Sequence, residues 1–177
     1  MKRAPEIIST RGVYDGRLIA VKLIRARYGE EEVEREVVEH PGSVAIVATD
    51  SVGRFLLVKQ YRVGVGEDTI EIPAGTLEEG EEPLKCAERE LEEETGYRAL
   101  DLHPLANTYT SPGYTSERLY IFTAKAVQGG VSKHETDENI RVIRLSREEV
   151  LEAISSGEIR DLKSIAGLLM AIFLRGV

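Results

Sequence analysis

Short apolar runs over the first forty residues predict β-strands. A turn containing Asp15 and Gly16 separates the first two runs, and these residue types commonly reverse the chain between strands. Pro41 and Gly42 then close the pattern. We therefore expect residues 1–42 to form an N-terminal antiparallel β-sheet segment. The first run ends at Val13, the second spans residues 18–27 and the third spans residues 33–39.

The remaining residues, 43–177, alternate apolar strand-like stretches with helical patterns, which is typical of a mixed α/β domain. A polar loop, 128–139, interrupts them. The strands are expected at residues 44–48, 55–58, 102–106, 119–126 and 140–145.

Three stretches of this domain carry helix signals. Pro83 suits the first helical position and Gly96 suits the position after the last turn. Ser146 and Glu149 have the spacing of a capping box, which predicts that a second helix begins there. The last stretch, 162–174, is apolar on most sides, so this helix is expected to be packed or to contact a partner.

The composition and charge of the chain exclude several classes of protein. The 177 residues carry a formal net charge of −8, which argues against nucleic acid as a partner because phosphate backbones are bound by basic patches. The single cysteine, Cys86, excludes a disulfide scaffold and a zinc finger. The longest nearly apolar run, 165–174, is too short to cross a bilayer about 30 Å thick.

Two further expectations concern the source and location of the protein. Residues 1–10 lack the apolar stretch of a secretory signal, so we expect a cytoplasmic protein with no membrane partner. The chain is poor in thermolabile Asn, Gln, Cys and Met, which favours a thermophilic source.

The strongest chemical signal is the glutamate-rich helix. At about 100° per residue, Glu90, Glu93 and Glu94 fall within about 100° of one another, so their carboxylates share one face. Like charges at this spacing destabilise a helix by about 0.2 to 0.5 kcal/mol per pair, and the spacing allows Arg89 to pair only with Glu93. The face is either an acidic surface in solvent or a site for a hard divalent cation.

The segment over residues 75–97 resembles the Nudix box, G-x5-E-x7-R-E-U-x-E-E-x-G-U. Gly75 and Glu81 fill its first fixed positions, and RELEEETGY at 89–97 fills the rest. Tyr97 departs from the usual aliphatic residue at a packing position. The resemblance implies a Nudix-type α/β/α sandwich with a mixed sheet. It also implies hydrolysis of a nucleoside diphosphate linked to another moiety, with Mg²⁺ or Mn²⁺ as cofactor.

The same resemblance implies roles for individual residues. Arg89 would orient the carboxylates, whereas Glu81 would either bind metal directly or pin the preceding loop. The metal ligands would be Ala74, through its carbonyl, together with Glu90, Glu93 and Glu94. Glu93, Glu94 and Arg89 would therefore be catalytic.

Residues 111–117, SPGYTSE, resemble the S-P-G-x-T-S-E motif of the ADP-ribose pyrophosphatase subfamily. Residues 35–42, 60–62 and 71–75 are also similar to that subfamily. In it the N-terminal strands cross to the partner subunit, so the resemblance implies a homodimer with shared active sites. Arg35 and Glu36 would contact adenine from the partner subunit. The other substrate-binding residues would be Arg62, Glu71, Ser111 and Glu117.

The loop before residue 140 also has an implied role, because in the subfamily it brings a glutamate over the metals. Alignment on residues 140–142 favours Glu138 as ligand or base, with Glu135 as the second choice. Cys86 and the three histidines are not needed for the mechanism.

The expected reaction is therefore metal-dependent hydrolysis of ADP-ribose to AMP and ribose 5-phosphate. Two alternatives stay open at this point. One is hydrolysis of another nucleoside diphosphate sugar such as GDP-mannose, and the other is nucleotide binding without catalysis.

Overall fold

A computed structural model describes residues 4–129 and 140–177 of the chain. The chain divides into two compact units. The first comprises Met1–Gly42 and Tyr109–Arg118, and the second comprises Ser43–Thr108 and Leu119–Val177. The SPGYTSE segment therefore belongs to the first unit, although the sequence analysis placed it in the main domain.

The first unit is built on a three-stranded antiparallel sheet in the order β1-β2-β3. Its strands are β1 (Glu6–Asp15), β2 (Ala20–Tyr28) and β3 (Glu31–Glu39), as the sequence pattern predicts. A two-residue turn joins β2 to β3, and Gly29 supplies its positive φ of 66°. Among residues 4–42 and 109–118, Ala26 is the one buried apolar residue.

The second unit contains a seven-stranded mixed sheet in the order β10-β5-β4-β9-β8, with β6 paired to β5 and β7 paired to β4. β4 and β9 run parallel, while β4 and β5 run antiparallel. The mixed sheet is as expected. The strands are β4 (Ser43–Thr49), β5 (Phe55–Arg62), β6 (Glu67–Glu71), β7 (Ala74–Thr76), β8 (Tyr97–Tyr109), β9 (Arg118–Gln128) and β10 (Arg141–Leu145).

The helices begin where the sequence predicts them. They are α1 (Pro83–Thr95), α2 (Arg147–Ser155) and α3 (Leu162–Met170). The capping box of α2 is present, with the Ser146 hydroxyl accepting from the Glu149 N–H and the Glu149 carboxylate accepting from the Ser146 N–H. The last predicted helix differs in one respect, because it continues as a π-helical segment over Ala171–Arg175.

Both faces of the seven-stranded sheet are covered. Alternate residues of β4 point to opposite sides, so Val47 packs in one apolar cluster and Ile46 in the other. The first cluster includes Val150 of α2 and Leu168 of α3, and the second includes Leu91 of α1. Because both faces of β4 are buried, its sequence is an unbroken apolar run. Helices on both faces of the sheet form the predicted α/β/α sandwich.

In the described part of the chain, no helix is both long and apolar enough to cross a membrane.

Candidate active site

The acidic face of α1 is not an ordinary solvated surface. Glu94 is buried, at 6% exposure, and the Glu90 side chain is 14% exposed. The Glu93 side chain is more open, at 38%. The helix ends at Gly96, whose φ of 71° lets its N–H donate to the Glu92 carbonyl at 2.8 Å. Carboxylates are rarely buried without compensating partners, so the contacts of this face decide its chemistry.

Arg89 lies among the carboxylates and binds three of them. Its Nε and Nη2 donate to the two carboxylate oxygens of Glu81 at 3.0 Å each. Its Nη1 donates to Glu90 at 2.7 Å and to Glu93 at 3.2 Å. The expectation that Arg89 pairs only with Glu93 was wrong, because helical spacing ignores Glu81, which reaches Arg89 from the preceding loop. These contacts raise the pKa of Arg89, chiefly through Glu81.

Glu81 holds the loop that precedes α1. Its carboxylate accepts from the Glu78 N–H at 3.0 Å as well as from Arg89. The hydrogen bonds from Arg89 lower the pKa of Glu81 to about 2, against a smaller opposing effect of burial. The carboxylate therefore stays ionised at neutral pH and ties residues 78–81 to the helix.

Main chain from β7 approaches two helix carboxylates closely. The Ala74 N–H donates to Glu94 at 3.0 Å. A Cβ added at Gly75 would lie 1.9 Å from the Glu90 carboxyl carbon and 2.0 Å from one of its oxygens. Gly75 thus allows close approach and is not needed for a positive φ, because a side chain here would displace the Glu90 carboxylate from its present position.

The donor set of this face fits a hard divalent cation. Every candidate ligand is an oxygen atom, and the Glu90 carboxylate occupies a cradle that a Cβ at position 75 would fill. One arginine faces three carboxylates, which leaves excess negative charge. Within residues 4–129 and 140–177, no three His, Cys, Asp or Glu residues already form a ligand set. Binding would therefore require these side chains to turn toward the ion.

A second charged cluster surrounds Glu71 at the end of β6. Arg62 donates from Nε and Nη2 to the two Glu71 oxygens at 2.8 Å and 2.7 Å. The Thr69 hydroxyl and the Lys163 ammonium also donate to this carboxylate. Burial alone would raise the pKa of Glu71, but the hydrogen bonds from Arg62, Lys163 and Thr69 lower it to about 2.

Sequence reasoning paired neither Thr69 nor Lys163 with this cluster. Lys163 lies 92 residues from Glu71 along the chain and reaches it from the first turn of α3. The one available signal was Asp161, whose carboxylate caps α3 by accepting from the Ser164 N–H at 2.9 Å. That cap predicts where the helix begins and not which strand it meets.

The remaining predicted substrate residues lie in the first unit. Arg35 and Glu36 are exposed neighbours on β3, so their side chains leave opposite faces of the sheet. The Ser111 carbonyl accepts from the Tyr114 and Thr115 N–H groups, and the Glu117 carboxylate accepts from the Thr110 hydroxyl at 2.9 Å. The structure thus separates the predicted residues into two sets. Arg35, Glu36, Ser111 and Glu117 belong to the first unit, and Arg62, Glu71 and the α1 carboxylates belong to the second.

Glu135 and Glu138 lie outside the described residues. Cys86 is buried, and burial raises the pKa of its thiol to about 12, which is the opposite of what a nucleophile needs. Its sulfur is in contact with Arg89 at 3.3 Å and packs under the loop.

Comparison with known proteins agrees with this geometry. The NUDIX domain family matches residues 39–166. An ADP-ribose pyrophosphatase of Bacillus subtilis (strain 168) is 42% identical over 133 residues, covering 74% of this chain and 72% of the relative. A methanol dehydrogenase activator of Bacillus methanolicus is 36% identical over 166 residues, covering 89% and 87%. An ADP-ribose pyrophosphatase of Mycobacterium tuberculosis (strain ATCC 25618 / H37Rv) is 36% identical over 168 residues, covering 93% and 81%.

Similarity in structure extends over nearly the whole chain. A crystal structure of an ADP compounds hydrolase superposes with a TM-score of 0.86 at 21% identity, covering 99% of this chain and 97% of the other. At 21% identity, the match supports the fold alone. With the family match over residues 39–166 and the box motif at residues 75–97, the chain belongs to the Nudix family.

Proposed function

We propose that this protein is a Nudix pyrophosphatase that hydrolyses ADP-ribose to AMP and ribose 5-phosphate. The observation that carries the proposal is the half-buried acidic face of α1 with excess negative charge, in a chain 42% identical to an ADP-ribose pyrophosphatase. A second relative with that name covers 93% of the chain.

The proposed reaction uses a divalent cation, Mg²⁺ or Mn²⁺. Bound there, such an ion would acidify a water nucleophile and offset the charge that develops on the diphosphate. The ligands would be Ala74, through its carbonyl, together with Glu90, Glu93 and Glu94. Arg89 donates to Glu90 and Glu93 and so orients both carboxylates.

Arg62 is proposed to bind the diphosphate of the substrate. Its guanidinium is held by Glu71 and its side chain is 38% exposed, so a cationic group is fixed at the surface of the second unit. A fixed guanidinium binds phosphate oxygens with little loss of side-chain freedom.

The substrate proposal is tested with a panel of nucleoside diphosphate derivatives. ADP-ribose, GDP-mannose and ADP-glucose would be incubated with Mg²⁺ or Mn²⁺, and the products separated by chromatography. We expect AMP and ribose 5-phosphate from ADP-ribose with the highest kcat/KM. Faster cleavage of GDP-mannose would favour the alternative hydrolase. Saturable binding without cleavage would indicate a nucleotide-binding protein.

We also propose that residues 1–42 form a dimerisation segment and that each active site is completed by the partner subunit. The first unit supports this proposal because its sheet has almost no core. Ala26 is its one buried apolar residue in the described ranges, and small sheets need a packed apolar face for stability. Its large exposed apolar side chains include Ile7, Ile8, Val13, Tyr14, Leu18 and Tyr28.

Mixing two inactive variants tests the shared site. An Arg35→Ala chain and a Glu93→Gln chain should each be impaired as homodimers. After subunit exchange, the heterodimer should regain activity, because one of its two sites has both native residues. Sizing as an active monomer, or no recovery after demonstrated exchange, would contradict the shared site.

The acidic loop is proposed to contribute Glu138 as ligand or base, with Glu135 second. We expect Glu138→Gln to lower kcat more than Glu135→Gln, with partial rescue by added Mg²⁺. A larger defect for Glu135→Gln would move the role to that residue.

Location and source remain proposals from composition. A cytoplasmic protein is proposed from residues 1–10, which contain no apolar stretch. A thermophilic source is supported by the scarcity of Asn, Gln, Cys and Met.

A further inference from the structure

The hydrogen-bonding capacity of Glu71 is filled by protein groups. One of its oxygens accepts from Arg62 Nε and the Thr69 hydroxyl, and the other accepts from Arg62 Nη2 and Lys163. An ionised carboxylate offers about four lone-pair sites. Glu71 is also only 3% exposed. It therefore has neither the surface nor the lone pairs to receive a substrate hydroxyl.

Arg62 is the exposed member of the cluster, and Glu71 fixes its orientation through two parallel bonds. Lys163 donates to the same Glu71 oxygen as Arg62 Nη2, and its side chain is 22% exposed. It also contacts Asp161 at 3.0 Å. Without Lys163, one oxygen of a buried carboxylate would lose a cationic partner, and Arg62 would be drawn toward that oxygen.

The first turn of α3 holds this arrangement in register with the strand. The Ser164 hydroxyl is fully buried and accepts from the Ile72 N–H at 2.8 Å. It donates to Asp161, which in turn accepts from Lys163. The residue after Glu71 is therefore tied to the first turn of α3, which places Lys163 beside Glu71.

We propose that Lys163 is a positioning residue for substrate binding, acting through Glu71 to set the orientation of Arg62. The proposal rests on the proposed function in one respect, which is that Arg62 binds the diphosphate. It changes the expected role of Glu71, which becomes a support for Arg62 and not a contact with the substrate.

Steady-state hydrolysis of ADP-ribose separates positioning from chemistry. We expect Lys163→Met to raise KM about tenfold with kcat within about twofold. The binding that is lost is equal in the ground state and the transition state, and the carboxylates of α1 are unchanged. Lys163→Arg keeps a cationic donor and should restore most of the KM. Lys59→Met is the matched control, because Lys59 pairs with Asp68 at 3.6 Å in a half-exposed ion pair on the same hairpin and should leave both constants unchanged.

A double-mutant cycle tests whether Lys163 acts through Glu71. In a Glu71→Gln background, adding Lys163→Met should change KM by less than about twofold, because the group through which Lys163 acts is already altered. Full additivity would overturn the proposal and assign Lys163 a direct contact with substrate. A lower melting temperature with unchanged KM would also overturn it, by leaving Lys163 a purely structural role.

The same cycle can be measured without turnover. Calorimetric titration of ADP-ribose in the presence of a chelator gives dissociation constants for the wild type and the variants. Loss of the coupling in these constants overturns the role of Lys163 even if ADP-ribose is the substrate. If the panel instead identifies another nucleoside diphosphate, the ADP-ribose proposal fails, while the cycle with that substrate still decides the role of Lys163.

Discussion

Two arginine–carboxylate pairs in the second unit have nearly the same geometry and opposite surroundings. Arg62 donates two hydrogen bonds to Glu71, of 2.8 Å and 2.7 Å, and Arg89 donates two to Glu81, of 3.0 Å each. Around Glu71 one carboxylate meets two cations, and Asp161 balances the second. Around Arg89 one cation meets three carboxylates.

The difference separates a support from a binding site. Among the described ion pairs around Glu71 the charges balance, so this carboxylate needs no metal ion and serves to hold Arg62 in place. Among the described ion pairs, Arg89 meets three partly buried carboxylates, and a bound cation would offset the repulsion between them. The excess of carboxylates around Arg89 indicates which of the two clusters needs a cation.

The largest expected effect is the loss of kcat when a carboxylate of α1 is removed. Glu93→Gln and Glu94→Gln should each lower kcat by about a hundredfold or more, because a metal ligand is lost while the near-isosteric amide relieves repulsion. Circular dichroism should show an unchanged fold. Glu88→Gln is the control on the same helix, since Glu88 is exposed and bonds only to Lys85 among the described contacts. Near-normal kcat in both variants would remove the acidic face from the mechanism.

A smaller loss is expected when the cradle of Glu90 is filled. Gly75→Ala places a Cβ about where the Glu90 carboxyl group now lies, so the carboxylate must move. We expect kcat to fall roughly tenfold and the Mg²⁺ concentration for half-maximal activity to rise, as for other displaced ligands. Gly12→Ala is the control because a Cβ at Gly12 meets nothing within 4 Å. Equal Mg²⁺ requirements in both variants would contradict the cradle.

Metal binding should also stabilise the acidic cluster without any substrate. An ion that binds only the folded state at 100 times its Kd adds about 2.7 kcal/mol, or a few degrees in Tm for a chain of this size. We expect Mg²⁺ to raise the Tm of the wild type and of Lys163→Met equally. The increase should be much smaller in Glu93→Gln. A stabilisation that survives in Glu93→Gln would place the ion elsewhere.

Local signals in the sequence predicted the parts of the fold that depend on neighbouring residues. Pro83 and Gly96 bound α1, and the capping box at Ser146 begins α2, because caps act within one turn. β6 and β7 were missed. β6 reads EDTIE, which is too polar to stand out, and β7 has three residues inside a Gly-containing loop. Both exist because they pair with β5 and β4, which is a tertiary effect.

The candidate site shows the same limit. The box motif predicted that Glu90, Glu93 and Glu94 share a face, because helical spacing fixes that geometry. Spacing did not predict that Glu81, from a loop, would accept from both Nε and Nη2 of Arg89. Nor did it predict Lys163, which depends on how α3 packs beside β6. Side chains brought together by long-range packing need the structure.

The smallest expected effect is on how the free energy of unfolding depends on acid pH, through the Glu71 carboxylate. Burial alone would raise the pKa of Glu71, but its interactions with Arg62 and Lys163 lower the pKa to about 2. An unfolded glutamate titrates near pH 4.3, so between about pH 4 and 2 the unfolded chain binds the extra proton and stability falls as pH falls. Glu71→Gln lacks this group, so its unfolding free energy in urea should decline less steeply across that window. Glu79→Gln, at an exposed position, should keep the wild-type slope. If the Glu71→Gln slope equals that of the wild type, Glu71 titrates normally, and the claim that its cations complete the cluster fails.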